Sequence, residues 1–300
     1  FWLVEAETSR RNHSIESILI DLAIFSMQSQ SSLLPLHRIG LFTTNHEPSR
    51  LLHRIQGILA PPGAEVMLLK EGGDADCELD LVIAVGGDGT VLSALVFYLE
   101  VPLLAINAGT VGFLTAGDLE DLDSILGRVF AGRHFISKRS ILKCTHPHGT
   151  SYIVNEMVVR GATRLITVEL SIDQQSIRKI RGDGVIVGTA TGSTAYLLAA
   201  GSPIVMPELR CMIVSGLNEY DFRARHLVVT HDSEIHLRVS SQTREQDIYL
   251  SIDGKNKIPL AINDEIMVRE SKRQAQLVFL EPNYFFHNLA SRLSWGGLSR

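Results

Sequence analysis

An N-terminal doubly wound α/β domain followed by a C-terminal β-sandwich-like domain, an α/β + β architecture, is what this chain leads one to expect. The first third alternates apolar strand-like runs with helical stretches, as a parallel sheet wrapped by helices requires. From about residue 135 the pattern becomes many short runs of period near two between turn residues, as in an antiparallel sandwich. Within the first part, Leu81-Val-Ile-Ala-Val-Gly-Gly-Asp-Gly-Thr90 carries a buried-strand run straight into a glycine turn around one carboxylate.

Taken in order, residues 1–35 read as an extension of unknown role with room for one amphipathic helix. The apolar stretch 15–27 is interrupted by Glu16 and Asp21 and is too short to cross a bilayer. It follows Arg10-Arg11 as a signal peptide's core would, but Asp21 and the lack of a small-x-small site argue against one. The opening on Phe1 rather than Met is expected of a truncated or processed start.

Residues 36–134 are expected to form the α/β domain. A strand over 37–44 leads to a helix over 48–59, which Pro61-Pro62-Gly63 stops, and then to a strand over 64–69. After the Leu81 strand comes a helix over 90–97, with Thr90 in position to cap it. A strand over 102–106, a glycine turn over 108–112 and an acid-started helix over 119–130 complete the domain. Right-handed crossovers make such a sheet doubly wound.

Residues 135–280 are expected to form the β-rich domain. Strands are expected over 135–144, 151–159, 167–172, 176–180 and 185–187, the last running into a hydroxyl-rich turn and a helical segment over 193–200. Further strands are expected over 212–214, 227–229, 235–239, 248–252, 265–268 and 276–279.

Composition narrows the function. A net charge of −5 leaves no excess of Lys or Arg to neutralise a nucleic-acid backbone, so no nucleic-acid partner is expected. Cys77, Cys144 and Cys211 are odd in number and widely spaced, which fits neither a disulfide framework nor a zinc site. Three buried thiols in a reducing compartment, the cytoplasm, are expected. No membrane association is expected, and the histidines show no metal-ligand spacing.

The chemistry is carried by two turns. Gly86, Gly87 and Gly89 allow a sharp turn and a close backbone approach to a ligand. In open α/β sheets, ligands bind outside the carboxyl ends of strands, where helix N-termini favour phosphate. Asp88 is therefore placed where a phosphate donor and an acceptor hydroxyl could meet. The second turn lies in Arg181-Gly-Asp-Gly-Val-Ile-Val-Gly-Thr-Ala-Thr-Gly-Ser-Thr-Ala-Tyr196, about a hundred residues on. Two such turns suggest two walls of one cleft, one from each domain.

Together with Asn107-Ala-Gly-Thr-Val-Gly-Phe-Leu114 and Asn155-Glu156, these motifs make the chain resemble the NAD kinase family from about Arg38 to the C-terminus. The glycine–aspartate turn alone is shared with diacylglycerol and sphingosine kinases; the ordered set, above all Thr191-Gly-Ser-Thr-Ala-Tyr196, is specific. The resemblance implies transfer of the γ-phosphate of ATP to the adenosine ribose 2′-hydroxyl of NAD, giving NADP, with Mg²⁺ or another divalent cation entering with ATP. It implies Asp88 as general base. Gly86, Gly87, Gly89 and Thr90 would hold donor phosphates, with Arg181 steering them. Asp88, Gly89, Phe113, Asn155, Glu156, Thr194, Ala195 and Tyr196 would contact NAD. Asp183 would reach the ligand from a neighbouring subunit, in a homodimer or homotetramer. Residues 281–300 would return to the first domain. Asp253-Gly254 reads as a structural hairpin turn. Departures from the family pattern are Gly188, Ala190, Ala199, Ser202 and Ala224, which avoid Asp88 but alter the pocket's shape. A lipid kinase and a non-catalytic NAD-binding protein are the alternatives.

Overall fold

The computed structural model describes residues 36–44, 47–60, 63–70, 78–109 and 112–293. The extension 1–35 and its expected helix therefore lie outside the described residues, as does Cys77.

Four short apolar strands, Arg38–Thr43, Glu65–Leu68, Leu81–Gly86 and Pro102–Asn107, pair in parallel. Arg38–Thr43 lies between Glu65–Leu68 and Leu81–Gly86, so the strand order reverses there. That reversal is the topological switch point, where doubly wound sheets open a crevice. Helices cover both faces, and strand alternation decides which side chain meets which helix. Ile39, Leu41, Ile83, Leu104 and Ile106 pack with Leu51 and Ile55 of helix Pro48–Leu59 and with Ile125 and Leu126 of helix Leu122–Phe130. Val82, Ala84, Leu103 and Ala105 pack on the other face with Val91 and Leu95 of helix Asp88–Phe97 and with Phe285 and Leu289 of helix Tyr284–Arg292.

The strand Glu265–Phe279 joins the two halves of the molecule. Gln276–Val278 pairs in parallel with Pro102–Leu104, while Glu265–Val268 pairs antiparallel with Ile235–Arg238. Phe135–His146 runs antiparallel along nearly its whole length. The parallel sheet thus passes without a break into an antiparallel one, making 11 strands. A second, six-stranded antiparallel sheet faces that antiparallel part. Leu142, Val168, Leu237 and Ile266 from one sheet and Met157, Val185, Val214 and Leu250 from the other fill the space between them. This is the sandwich that the period-two pattern indicated.

Local expectations are corrected in five places. Residues 151–159 form two strands, Gly149–Ile153 and Glu156–Gly161, in different sheets, because the chain crosses the sandwich at Val154-Asn155. Residues 265–268 and 276–279 belong to one strand with a bulge between Glu270 and Gln274, where exposed polar residues hide the continuity. The segment 193–200 is two pieces, a 3₁₀ turn Thr191–Thr194 and one α-turn Tyr196–Ala199, with Ala195 at φ −102°, ψ −128°, outside the helical region, between them. The strand Lys255–Leu260 is absent from the expectation, because it is a polar edge strand carrying Pro259. Cys144 is buried, and burial pushes its thiol up to about 12, but Cys211 is only half-buried on its strand.

Candidate active site

The first wall starts where strand Leu81–Gly86 ends. Gly87 leaves it extended (φ −90°, ψ −178°) and caps helix Asp88–Phe97 without any side-chain bond. Thr90 is therefore not the cap. It lies inside the first turn, and its Oγ1 is 3.0 Å from Oγ1 of Thr44, at the end of the neighbouring strand across the switch point. A Cβ on Gly86 would lie 2.4 Å from Thr90 Oγ1, so packing explains that glycine. Gly87 and Gly89 have open space beside them, which leaves their backbone accessible to a ligand.

Asp88 is the first residue of this helix, at the end whose free amides favour negative charge. Its Oδ2 accepts the Phe113 amide at 3.0 Å and its Oδ1 the Leu114 amide at 3.2 Å. Gly112 makes this possible: a Cβ there would lie 2.2 Å from Asp88 Oδ1. The loop after strand Pro102–Asn107 is thus folded down onto the carboxylate. Helix Tyr284–Arg292 holds it there, with Asn288 Nδ2 donating to the carbonyls of Phe113 (3.3 Å) and Thr115 (3.4 Å). Arg292 Nη2 lies 3.6 Å from Asp88 Oδ2, and its guanidinium is 5.3 Å from the Phe113 ring centroid. Two amides occupy only part of a carboxylate's acceptor capacity, and the Asp88 side chain is 28% exposed, so a hydroxyl can still approach it.

The second wall is built on Asp253. Asp253 and Gly254 take left-handed conformations (φ +46° and +70°) between strands Ile248–Ile252 and Lys255–Leu260, as a tight hairpin requires. The Asp253 carboxylate also accepts the amides of Val154 (3.0 Å), Asn155 (2.7 Å) and Glu156 (3.1 Å), fixing the crossing between sheets. From the other side, Thr189 Oγ1 donates to Val154 O at 2.6 Å and accepts the Gly192 amide at 3.1 Å. A Cβ on Gly192 would lie 2.2 Å from Asn155 O, so the turn Thr191–Thr194 presses directly on Asn155-Glu156. Gly188 is equally constrained, since a Cβ would lie 2.6 Å from Leu197 Cδ1, and this fits the absence of a larger residue there.

Glu156 is buried, and among the described residues its Oε2 has no hydrogen-bond partner. Burial raises its pKa to about 7, helped by the charge of Asp253 and opposed by the Tyr196 amide. It shares with Tyr196, Arg160, Tyr249 and Lys257 the lining of a pocket of about 340 Å³. Tyr196 is 39% exposed there, which argues against a core-packing role. A carboxyl whose folded pKa is raised binds more protons in the folded state between about 4.5 and 7, so stability falls as pH rises through that window. Glu156→Gln is expected to raise stability at pH 8 by at most about 3 kcal/mol. The gain should vanish below pH about 4.5. Thermal melts of parent and variant at pH 4 and 8 check this; an equal difference at both would remove the ionised carboxylate as its cause.

The two walls are joined. Lys255 Nζ donates to Ser93 Oγ, which itself donates to Gly89 O at 2.9 Å. A cleft of about 470 Å³ lies between them, lined by Ser93, Val96 and Phe97 of the helix and by Tyr152, Asp253 and Lys255. The fully buried Arg139 braces the arrangement from behind: Nη1 donates to Thr191 Oγ1 (3.2 Å), Nε to Ser137 Oγ (2.8 Å) and Nη2 to the Tyr284 hydroxyl (2.8 Å). Glu208 Oε1 accepts from Ser137 Oγ (2.7 Å) and the Tyr284 hydroxyl (2.5 Å), compensating the buried cation.

The fold thus draws together Gly86 to Thr90 with Phe113, and Asn155 and Glu156 with Thr194, Ala195 and Tyr196, and links the two groups through Lys255 and Asp253. Asp183 and Arg181 stand apart, lining a separate cleft of about 720 Å³ with Arg164 and Arg244. Asp183 Oδ2 accepts from Asn218 Nδ2 at 2.7 Å, and the Arg181 guanidinium lies 5.4 Å from the Tyr220 ring centroid. Asp253 as a three-amide anchor, Lys255, Arg139 and Arg292 are absent from the sequence reading. Arg139 sits in the polar run Ser137-Lys-Arg-Ser140, so neither it nor Arg292 carried a signal in the sequence. Among the described residues, no three His, Cys, Asp or Glu side chains gather as metal ligands, and no helix is long and apolar enough to cross a membrane.

An α/β N-terminal domain followed by an antiparallel β domain is the architecture that the comparisons with known proteins also find. Residues 70–134 match the ATP-NAD kinase N-terminal domain and residues 154–280 the ATP-NAD kinase C-terminal domain. The NAD kinase of Methanothermobacter thermautotrophicus is 32% identical over 268 residues, 84% of this chain and 94% of that protein. The NAD kinase of Syntrophotalea carbinolica is 33% identical over 285 residues, 87% of this chain and 99% of that protein. The crystal structure of an NAD kinase from Archaeoglobus fulgidus in complex with ATP superposes with a TM-score of 0.73 at 27% identity, covering 87% of this chain and all of that one (100%). Yeast NADH kinase complexed with NADH shares the fold, with a TM-score of 0.76 at 22% identity over 89% of this chain and 90% of that one. The chain belongs to the ATP-NAD kinase family.

Proposed function

We propose that this protein transfers the γ-phosphate of ATP to the 2′-hydroxyl of the adenosine ribose of NAD, giving NADP and ADP, with Asp88 as general base. The observation that carries the reading is the Asp88 carboxylate, held by the amides of Phe113 and Leu114 at a helix start beside the switch point and still open to solvent. The hydroxyl oxygen attacks the γ-phosphorus in line as the bond from that phosphorus to the β–γ bridging oxygen breaks. The hydroxyl proton passes to Asp88, and the electron pair of the broken bond leaves with ADP. Gly87, Gly89 and Thr90 offer amides and a hydroxyl to donor phosphates. Asn155 and Glu156 bind the adenosine ribose hydroxyls, while Phe113, Thr194, Ala195 and Tyr196 shape the rest of the dinucleotide pocket.

A divalent cation such as Mg²⁺ would enter with the nucleotide and would supply charge neutralisation for its phosphates. In this reading, residues 36–134 supply the donor wall, 135–280 the NAD wall, and of 281–300 the helix Tyr284–Arg292 returns to the first domain, residues 294–300 lying outside the described residues. Asp183 serves a neighbouring subunit of a homodimer or homotetramer, and Arg181 beside it steers phosphates. Their separation from Asp88 and the neighbouring exposed Tyr220 and Phe222 (69% and 98%) support a subunit contact there. A cytoplasmic enzyme fits the free thiols of Cys144 and Cys211.

Purified protein given NAD and Mg-ATP is expected to form NADP. Folded protein that yields none, with ATP or with polyphosphate, would sink the reading and turn the search to lipid hydroxyl acceptors.

A further inference from the structure

Phosphoryl transfer places negative charge beside Asp88, and the protein side chain that meets it is not obvious. Asp88, Glu156 and Asp253 are all acidic, and Arg181 lines a different cleft. Lys255 is engaged with Ser93. Arg292 is different. It reaches the site from the last turn of helix Tyr284–Arg292, and its guanidinium makes an ion pair with Asp88 at 3.6 Å, too long for a hydrogen bond. Among the described residues its side chain otherwise meets only the Phe113 ring, and it is 33% exposed. A guanidinium has five N–H donors in a fixed fork that matches phosphate oxygens. Here that fork stands with its donors uncommitted among the described residues, beside the carboxylate that would receive the hydroxyl proton.

We propose that Arg292 is the group that receives the transferred phosphoryl, holding it in the transition state and as the 2′-phosphate of the product. This rests on the NAD-phosphorylating reading and goes beyond it, because it assigns recognition of the added phosphate to one residue of the C-terminal helix. The new 2′-phosphate lies where the hydroxyl was, close to Asp88, and the like charges repel. Arg292 offsets that repulsion and makes the site prefer NADP to an extent that a neutral side chain does not.

The experiment is calorimetric titration of NAD and of NADP, without ATP, into the full chain and into Arg292→Gln, Arg292→Met and Arg292→Lys, with thermal melts of each. Arg292→Gln and Arg292→Met are expected to weaken NADP binding by about tenfold while NAD binding changes little. Arg292→Lys should retain part of the preference, and kcat should fall in Gln and Met with the KM for NAD nearly unchanged. A merely structural Arg292, propping Phe113, would weaken NAD and NADP together, and Met, which keeps an apolar stem on the ring, would restore both; that outcome overturns the proposal. An unchanged NADP-to-NAD affinity ratio in a folded variant overturns it too. A parent that binds neither dinucleotide instead overturns the underlying reading, so the two failures are distinguishable.

Discussion

Asp88→Asn is expected to lower kcat by about 10²- to 10⁴-fold, the range a positioned general base contributes, in a protein that still folds. The substitution keeps the shape of the side chain, and space is tight: residue 112 has no Cβ, and one there would lie 2.2 Å from Asp88 Oδ1. An asparagine oxygen can still accept one of the two loop amides at residues 113 and 114. The other amide then faces an NH₂ group and loses its partner, which costs about 1–3 kcal/mol. What asparagine cannot do is take a proton from an attacking hydroxyl. The loss should therefore fall on kcat, with the KM for NAD changing less. NADP formation by parent and variant under single-turnover conditions, with circular dichroism as a folding check, measures it. Activity at the parent's level in the variant would leave the reaction standing and remove Asp88 as its base.

The parts of this site legible in the sequence are those in which one residue type has one physical reason to be there. Gly87 and Gly89 read as an open turn, and Leu81–Gly86 read as a buried parallel strand, because both signals are local. The pair of small-residue turns suggested two walls of one cleft, but the cleft between the walls is lined by helix Asp88–Phe97 and by Tyr152, Asp253 and Lys255, which those turns do not announce. The period-two pattern after residue 135 told of a sandwich, but not that its larger sheet is continuous with the parallel sheet. That continuity depends on the bulged strand Glu265–Phe279, whose middle is polar. The break at Val154-Asn155 escaped for a related reason. Tyr152-Ile-Val-Asn-Glu-Met-Val-Val159 has a strand's composition throughout, and the force that breaks it is a carboxylate 98 residues away from Asn155. The cap was misread because Thr90 is a good capping residue, whereas extended Gly87 already ends the strand and frees Asp88 to face the loop. Arg292 and Arg139 act only through tertiary proximity, and no local pattern announces that.

The loss of the remote carboxylate itself should be the most damaging stability change in the second wall. Asp253→Ala deprives the amides of Val154, Asn155 and Glu156 of their acceptor at once. Each donor left unpaired in a part-buried site costs about 1–3 kcal/mol, and alanine at φ +46° adds about 1 kcal/mol of strain that aspartate tolerates better. Part of this is returned, because burial raises the Asp253 pKa despite the three amides, so the ionised carboxylate is itself costly to hold. A net loss of about 3–5 kcal/mol is expected. Asp253→Asn separates the contributions. It tolerates the left-handed turn, carries no charge and keeps one oxygen acceptor, so its loss should be about 1–2 kcal/mol. Urea unfolding midpoints at pH 7 rank the three proteins, and equal losses for Ala and Asn would deny the amides their part. The same series reports on function. Asn155-Glu156 is held from one side by Asp253 and from the other by Thr189 and Gly192. An alanine variant that still folds at low temperature should therefore bind NAD more weakly, although Asp253 is assigned no contact with it.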